Sequence, residues 1–315
     1  MDSTRPASTP LAVNARVGTP EEVARLRKFL TATLLLLLCF CLPLYHVMVF
    51  ALNSAFFSYI VVVPFISAYL AWIERPGYYP AGAPLSPGWA ATLWTGGAGF
   101  LGWAVLLFSG ATKPHQADLL ALSMIALVLL IAGCACYFLG RRTLRLLSFP
   151  LGFLVFLAPF PVAMETGLET VLQHGSAAVA EAFFDLAQMP VMRNGTFMQL
   201  PGFAMQVAPE CSGIRSTLAL FLTSLVAGQL FLRSPWKRAL LALIVIPLAF
   251  VRNGFRVFVI GELCVQISPD MIHSWIHRQG GPFFFALSLI PFSLVLYFLY
   301  KSEHPTVKAS PSPRN

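Results

Sequence analysis

The sequence predicts an all-α polytopic membrane protein with about eight transmembrane helices. Three observations carry this. Of 315 residues, 57% are hydrophobic and only 11% are charged, whereas a soluble domain carries about 25% charged residues. The apolar residues gather into runs of the length a bilayer crossing needs, about 20 residues. The Lys and Arg residues fall almost entirely on one side of those runs. The net charge of +8 therefore marks cytoplasmic loops, not a nucleic-acid footprint.

Candidate spans lie at 29–49, 56–72, 88–109, 119–140, 147–164, 213–232, 236–261 and 282–300. The fifth is short and broken by Pro150, Pro159 and Pro161. The seventh is long and carries Pro247, Arg252, Asn253 and Arg256. Residues 1–28 are rich in Pro, Ser, Thr and Arg and read as a disordered tail, although Glu21 to Lys28 can begin a helix that continues into the membrane. Residues 301–315 read as a second tail, and 29–300 as one membrane domain. No small-residue cleavage site follows the first apolar run, so that run reads as a retained span and not as a signal peptide.

With the N-terminus inside, fifteen Lys and Arg residues fall in cytoplasmic segments and three outside, Lys113, Arg193 and Arg278. Arg215, Arg252 and Arg256 fall within helices. This asymmetry predicts that both termini are cytoplasmic, which leaves 165–210 as a long extracytoplasmic segment. Its first part, 165–189, has helical periodicity with Glu169, Gln173, Glu181 and Asp185 on one side, and reads as a helix lying on the membrane surface. Arg193-Asn194-Gly195-Thr196 is a turn signal. Residues 197–207 roughly alternate and read as a short hairpin leading down to Cys211.

The reactive side chains concentrate in three polar clusters that this topology brings to the outer half of the bilayer. Cys211 stands where loop becomes helix, just before an apolar run. The free N–H groups and positive dipole end of a helix start favour a thiolate, and Gly213 beside it permits close backbone approach. Cys39, Cys41, Cys134 and Cys136 lie in apolar stretches and read as small buried hydrophobes, and Cys264 as a lone thiol. Arg252 and Arg256 share a helix face, as do Asn253 and Arg256. An ionisable group inside a span is costly and marks function by default. Arg215, one turn after Cys211, is a competing candidate. His273 and His277 precede the last span. Two histidines and a cysteine could hold zinc, but no further ligand is well placed, so no metal or cofactor is expected.

Three runs resemble the exosortase/archaeosortase family. They are Cys211-Ser212-Gly213-Ile214-Arg215-Ser216, then Asn253-Gly254-Phe255-Arg256, then His277 with Gly281 four residues on. Phe57-Ser58-Tyr59, Val63-Pro64-Phe65-Ile66-Ser67 and Pro159-Phe160-Pro161 resemble it as well, so the likeness covers roughly 30–300. The resemblance implies a cysteine protease or transpeptidase in the inner (plasma) membrane of a bacterium, with its active site at the extracytoplasmic face. Its partners would be membrane lipid and exported proteins that carry a C-terminal signal, namely a short motif such as Pro-Glu-Pro, a span and a basic cluster. Cys211 would be the nucleophile, His277 the base and then acid, and Arg256 the stabilising cation. Ser212, Gly213, Arg215, Arg252, Asn253 and His273 would support them. The residues taken alone also leave open an anion or lipid-linked solute transporter, or a non-enzymatic scaffold for polysaccharide export.

The topology is directly testable. A Thr196→Cys variant should react with a membrane-impermeant maleimide in cells whose inner membrane is sealed. Labelling only after that membrane is opened would invert the assignment.

Overall fold

The computed structural model describes residues 19–54, 56–73, 87–109, 115–139, 141–208, 212–273 and 280–304, the side chains of 141, 142, 272 and 273 excepted. Cys211 and His277, both singled out above, lie outside the described residues. The chain divides into two compact units, Met1–Pro161 and Val162–Asn315.

In the first unit α1 (Pro20–Cys39) starts at a capping box, in which Thr19 and Glu22 each satisfy the other's backbone N–H. It therefore begins within the segment read as tail. Helix α2 (Cys41–Asn53), a 3-10 turn (Phe57–Val61) and α3 (Val63–Ile73) follow, then α4 (Pro87–Ser109), α5 (Gln116–Phe138) and α6 (Arg141–Phe153). Small residues let α4 and α5 approach closely. A Cβ on Gly133 would stand 2.5 Å from the Trp94 indole, and one on Gly97 would stand 3.0 Å from Leu130. Pro150 lies inside α6, which turns 3-10 at Leu154–Leu157, and the buried Ser67 hydroxyl donates to the Pro150 carbonyl at 2.8 Å.

The second unit opens with α7 (Val162–Leu186), followed by a three-stranded antiparallel sheet of β1 (Met192–Asn194), β2 (Phe197–Leu200) and β3 (Phe203–Gln206). Gly195 and Gly202 make the two tight turns, both with positive φ, which glycine adopts without steric cost. Then come α8 (Ile214–Phe231), α9 (Pro235–Leu243), α10 (Val245–Gln266), a 3-10 turn (Pro269–His273) and α11 (Gly281–Glu303). The hairpin expected before Cys211 is thus the pair β2–β3, closed by Pro201-Gly202.

The seam between α7 and α10 holds this unit together. Ring or Cβ positions meet in step along it, Gly175 with Phe250, Val179 with Gly254, Phe183 with Phe255, and Phe184 with Phe258 and Gly261. Both helices therefore run in the same direction. The sheet packs over their leading ends, where Met189, Met198, Leu200, Met205 and Val207 bury against Phe184 and Val257. A second cluster joins Leu220, Ala227, Leu241, Val245 and Phe292 from α8, α9, α10 and α11. At its far end Glu303 accepts the backbone N–H groups of Arg233 (2.7 Å) and Ser234 (3.0 Å), and Lys237 reaches Glu303 and the Ser302 hydroxyl.

One expectation changes. Segment 165–189 is not an isolated surface helix. It belongs to a 25-residue helix whose face of Leu172, Ser176, Ala177, Ala180 and Phe184 is buried, because small side chains there admit α10. Its polar residues had suggested an interfacial position. The spans were expected to number about eight. Among the described residues five helices are long and apolar enough to cross a membrane, or up to seven if each of two bent pairs is one span. The span expected at 56–72 is the shorter apolar stretch Phe57–Ile73. The expected fifth span is divided, because one helical stretch ends at Leu157 and α7 begins at Val162. Large apolar side chains such as Trp89, Trp103, Phe108, Leu294 and Phe298 are exposed, as surfaces facing lipid require. The chain is an all-α multi-pass membrane protein bearing one small sheet.

The seam gives a stability test. A Cβ at Gly254 would fall 2.7 Å from Val179 Cγ1 and 3.0 Å from the Ser176 carbonyl, whereas at Gly99 it would meet nothing within 4 Å. Gly254→Ala should cost about 1–3 kcal/mol by overpacking and Gly99→Ala should leave thermal unfolding in detergent nearly unchanged. Equal midpoints for the two would contradict the seam.

Candidate functional site

The residues singled out in sequence fall on three elements of the second unit. Ser212 and Gly213 form the entry to α8, and Arg215 lies in its first turn. Arg252, Asn253 and Arg256 lie on α10. His273 ends the 3-10 turn after α10.

The entry to α8 is built around Gly213, which has φ +72° at the N-cap and no side chain to cap the helix. Its carbonyl instead collects donors. Thr217 N–H (3.0 Å), Ser216 Oγ (3.0 Å), Thr217 Oγ1 (2.9 Å) and Arg252 Nη2 (3.1 Å) all point to it. Arg252 Nη2 also donates to Thr217 Oγ1 at 2.9 Å. A Cβ at position 213 would stand 2.9 Å from Asn253 Oδ1 and 3.1 Å from Arg252 Nη2, so any other residue is disfavoured there on two counts, contact and backbone. Ser212, 1% exposed, accepts the Ile214 N–H at 3.4 Å.

Asn253 extends the network to α7 by donating from Nδ2 to Ser176 Oγ at 3.0 Å, with both side chains buried. Arg252, Asn253, Gly213, Thr217 and Ser176 thus tie α7, α8 and α10 together by polar bonds inside an apolar bundle. A buried guanidinium is costly unless its donors are met. Arg252 is 7% exposed, and its Nη1 has no hydrogen-bond partner among the described residues. An unmet donor of this kind costs free energy. Arg256, one turn further along the same face, is half-buried.

The depth of the site follows from α10. Arg252 lies fourteen residues before Gln266, where α10 ends, or about 21 Å at 1.5 Å per residue. The start of α8 is therefore level with the body of α10. The sequence had placed the outer exit of this span near residue 261, and the helix runs five residues further. An apolar cavity of about 290 Å³ opens beside Arg252 between α7, α10 and α11, lined by Phe183, Val251, Phe255, Phe284 and Leu287 among others.

Arg252, Asn253 and Gly213 are therefore brought together. Arg215 is exposed and stands apart from this network. Ser176 and Thr217 are members that sequence reasoning missed. Thr217 carried a signal, since it lies four residues from Gly213 and one helical turn returns it to the same carbonyl. Ser176 carried none, because only the seam brings it to Asn253. Among the described residues no group of three or more His, Cys, Asp or Glu side chains could hold a metal ion.

A multi-pass helical bundle with a polar network at the entry to one helix is the class these observations define. The family model for transmembrane exosortase matches residues 51–294, and the chain belongs to that family. No curated protein and no solved structure gives a significant match.

The clash at Gly213 can be measured. Gly213→Ala should destabilise by about 1–2 kcal/mol from the left-handed backbone, with a further loss from contact with Asn253. In an Asn253→Ala background that further loss should disappear. Strict additivity of the two changes in thermal unfolding would show that the residues do not touch.

Proposed function

We propose that the protein is a membrane cysteine protease or transpeptidase that cleaves C-terminal sorting signals from exported proteins at the extracytoplasmic side of the plasma membrane, with both termini in the cytoplasm. The observation that carries the reading is the buried network fixing the entry to α8, two residues after Cys211, against Arg252 and Asn253 of α10. Membership of the exosortase family supports it. An anion transporter would need a polar path, whereas the cavity beside Arg252 is lined almost wholly by hydrocarbon.

The chemistry runs in two steps. The Cys211 thiolate attacks the scissile carbonyl carbon, and negative charge develops on the carbonyl oxygen. A fixed cation in a low-dielectric site stabilises that charge strongly, and Arg256 supplies it. Arg252 holds the turn, since its Nη2 is engaged by Gly213 and Thr217. His277 takes the thiol proton and returns it to the leaving amine as the C–N bond breaks. A thioester remains on Cys211. Water or an acceptor amine then attacks it, giving a free carboxylate or a new amide and restoring the thiol. Arginine cannot be the base, because it stays protonated.

The substrate can be found by comparing the C-terminal peptides of membrane and exported proteins between cells with the wild-type chain and cells with Cys211→Ala. Proteins that gain a span and basic tail in the variant are substrates. With one in hand, Cys211→Ala, His277→Ala and the double change should give similar residual rates, because members of one catalytic unit are not additive. His273→Ala should stay active. Additive losses, or a dead His273→Ala beside an active His277→Ala, would remove His277 from the site.

A further inference from the structure

Strand β3 has one side committed to β2 and the other unoccupied among the described residues. The register decides which groups face outward. Val207 N–H donates to the Thr196 carbonyl at 2.9 Å, and antiparallel pairs alternate between bonded and non-bonded partners. Phe203, Met205 and Val207 therefore bond toward β2, and Ala204 and Gln206 turn their N–H and C=O away from it. Both are exposed, while Met205 and Val207 are buried on the core below. The strand is thus anchored on one face and open along one edge.

Edge strands are normally blunted by a Lys, a Pro, a bulge or a covering element. The opposite edge, β1, carries such a charge, because Arg193 is exposed there and pairs with Glu181 at 2.6 Å. Strand β3 reads Phe203-Ala204-Met205-Gln206 and has no charge, proline or bulge. Its outward groups repeat every second residue, roughly 7 Å apart, and another extended backbone is their natural complement.

We propose that β3 receives an extended segment of the substrate polypeptide as a fourth strand. The inference rests on the protease reading above and names how that site takes its substrate. The occupant follows from continuity. Cys211 follows Gln206 by five positions in the chain, at most about 18 Å, so a peptide paired with β3 lies within that reach of the thiol. Backbone pairing selects an extended, unfolded stretch ahead of any particular side chain. The substrate class is therefore a polypeptide with an extended segment next to its cleavage point.

Gln206→Pro tests this. It deletes one outward N–H and places a ring on the free edge, a position where proline leaves the rest of a sheet intact. With the full chain in detergent and a substrate identified by its Cys211-dependent C-terminus, KM should rise about tenfold, the scale of a lost backbone bond, while kcat changes little. Alkylation of the peptide carrying Cys211 by iodoacetamide, and the unfolding midpoint, should match the wild type. By the same alternation Arg193 faces outward on β1, so Arg193→Pro should leave KM near the wild-type value. A wild-type KM for Gln206→Pro, or an equal rise in both variants, overturns the proposal. So does a change of oligomeric state without a change in KM, which would assign the edge to a second copy of the chain. If Gln206→Pro does not fold, substrates N-methylated at single backbone positions decide, with a KM rise at every second position expected and a uniform response overturning it. If Cys211→Ala leaves every C-terminus unchanged, the protease reading fails and the strand proposal falls with it; an active Cys211 with an indifferent β3 removes the strand proposal alone.

Discussion

A guanidinium buried in an apolar bundle imposes conditions on everything around it. Arg252 is met by a backbone carbonyl and a threonine hydroxyl at the start of α8. For that carbonyl to be available, residue 213 must hold a left-handed backbone and carry no side chain, and only glycine does both without strain. Asn253 then fills the space that a Cβ would need, and its amide is satisfied in turn by Ser176 on α7. The position of the loop end before α8 is thus fixed by a chain of polar bonds, each of which would be costly to leave open in hydrocarbon. The same logic explains why the start of α8 sits against the body of α10 and not at its tip.

The α7–α10 seam serves the network. Ser176 can reach Asn253 only if the two helices approach closely, and the approach relies on Gly175, Ala177, Ala180, Gly254 and Gly261. Small residues at helix interfaces are the usual means of close packing in membranes, where apolar side chains gain little by leaving lipid. The aromatic contacts of Phe183 and Phe184 with Phe255 and Phe258 continue the seam toward the sheet. Sheet, seam and network together support the start of α8.

Much of this was legible in the sequence. Apolar run length gave the class, and the isolated Arg252, Asn253 and Arg256 within an apolar run marked the helix that carries charge. Gly213 beside Cys211 pointed to a close approach, which the left-handed turn explains. What hydropathy misjudged was α7. Glu169, Gln173, Glu181 and Asp185 lowered its apparent affinity for the bilayer, and their signal outweighed the quieter one of Gly175, Ser176, Ala177 and Ala180 on the other face. Small residues carry little hydropathy and much geometry. The pairing of Ser176 with Asn253, 77 positions apart, has no local signature, and the prolines at 159 and 161 marked a break without telling which helix would follow it.

The carboxylate of Glu303 has a consequence for how the molecule comes into being. It caps the N–H groups of Arg233 and Ser234 where α8 gives way to α9, and it does so from the last residue of α11. During synthesis the α8–α9 corner emerges some seventy residues before its cap. Until α11 is made, those two donors depend on water or lipid headgroups, so the corner is held in its final form only after the closing helix has arrived. Assembly of the second unit therefore has a built-in last step, and a chain cut short before Glu303 would reach the membrane with its helices made and the α8–α9 corner untied.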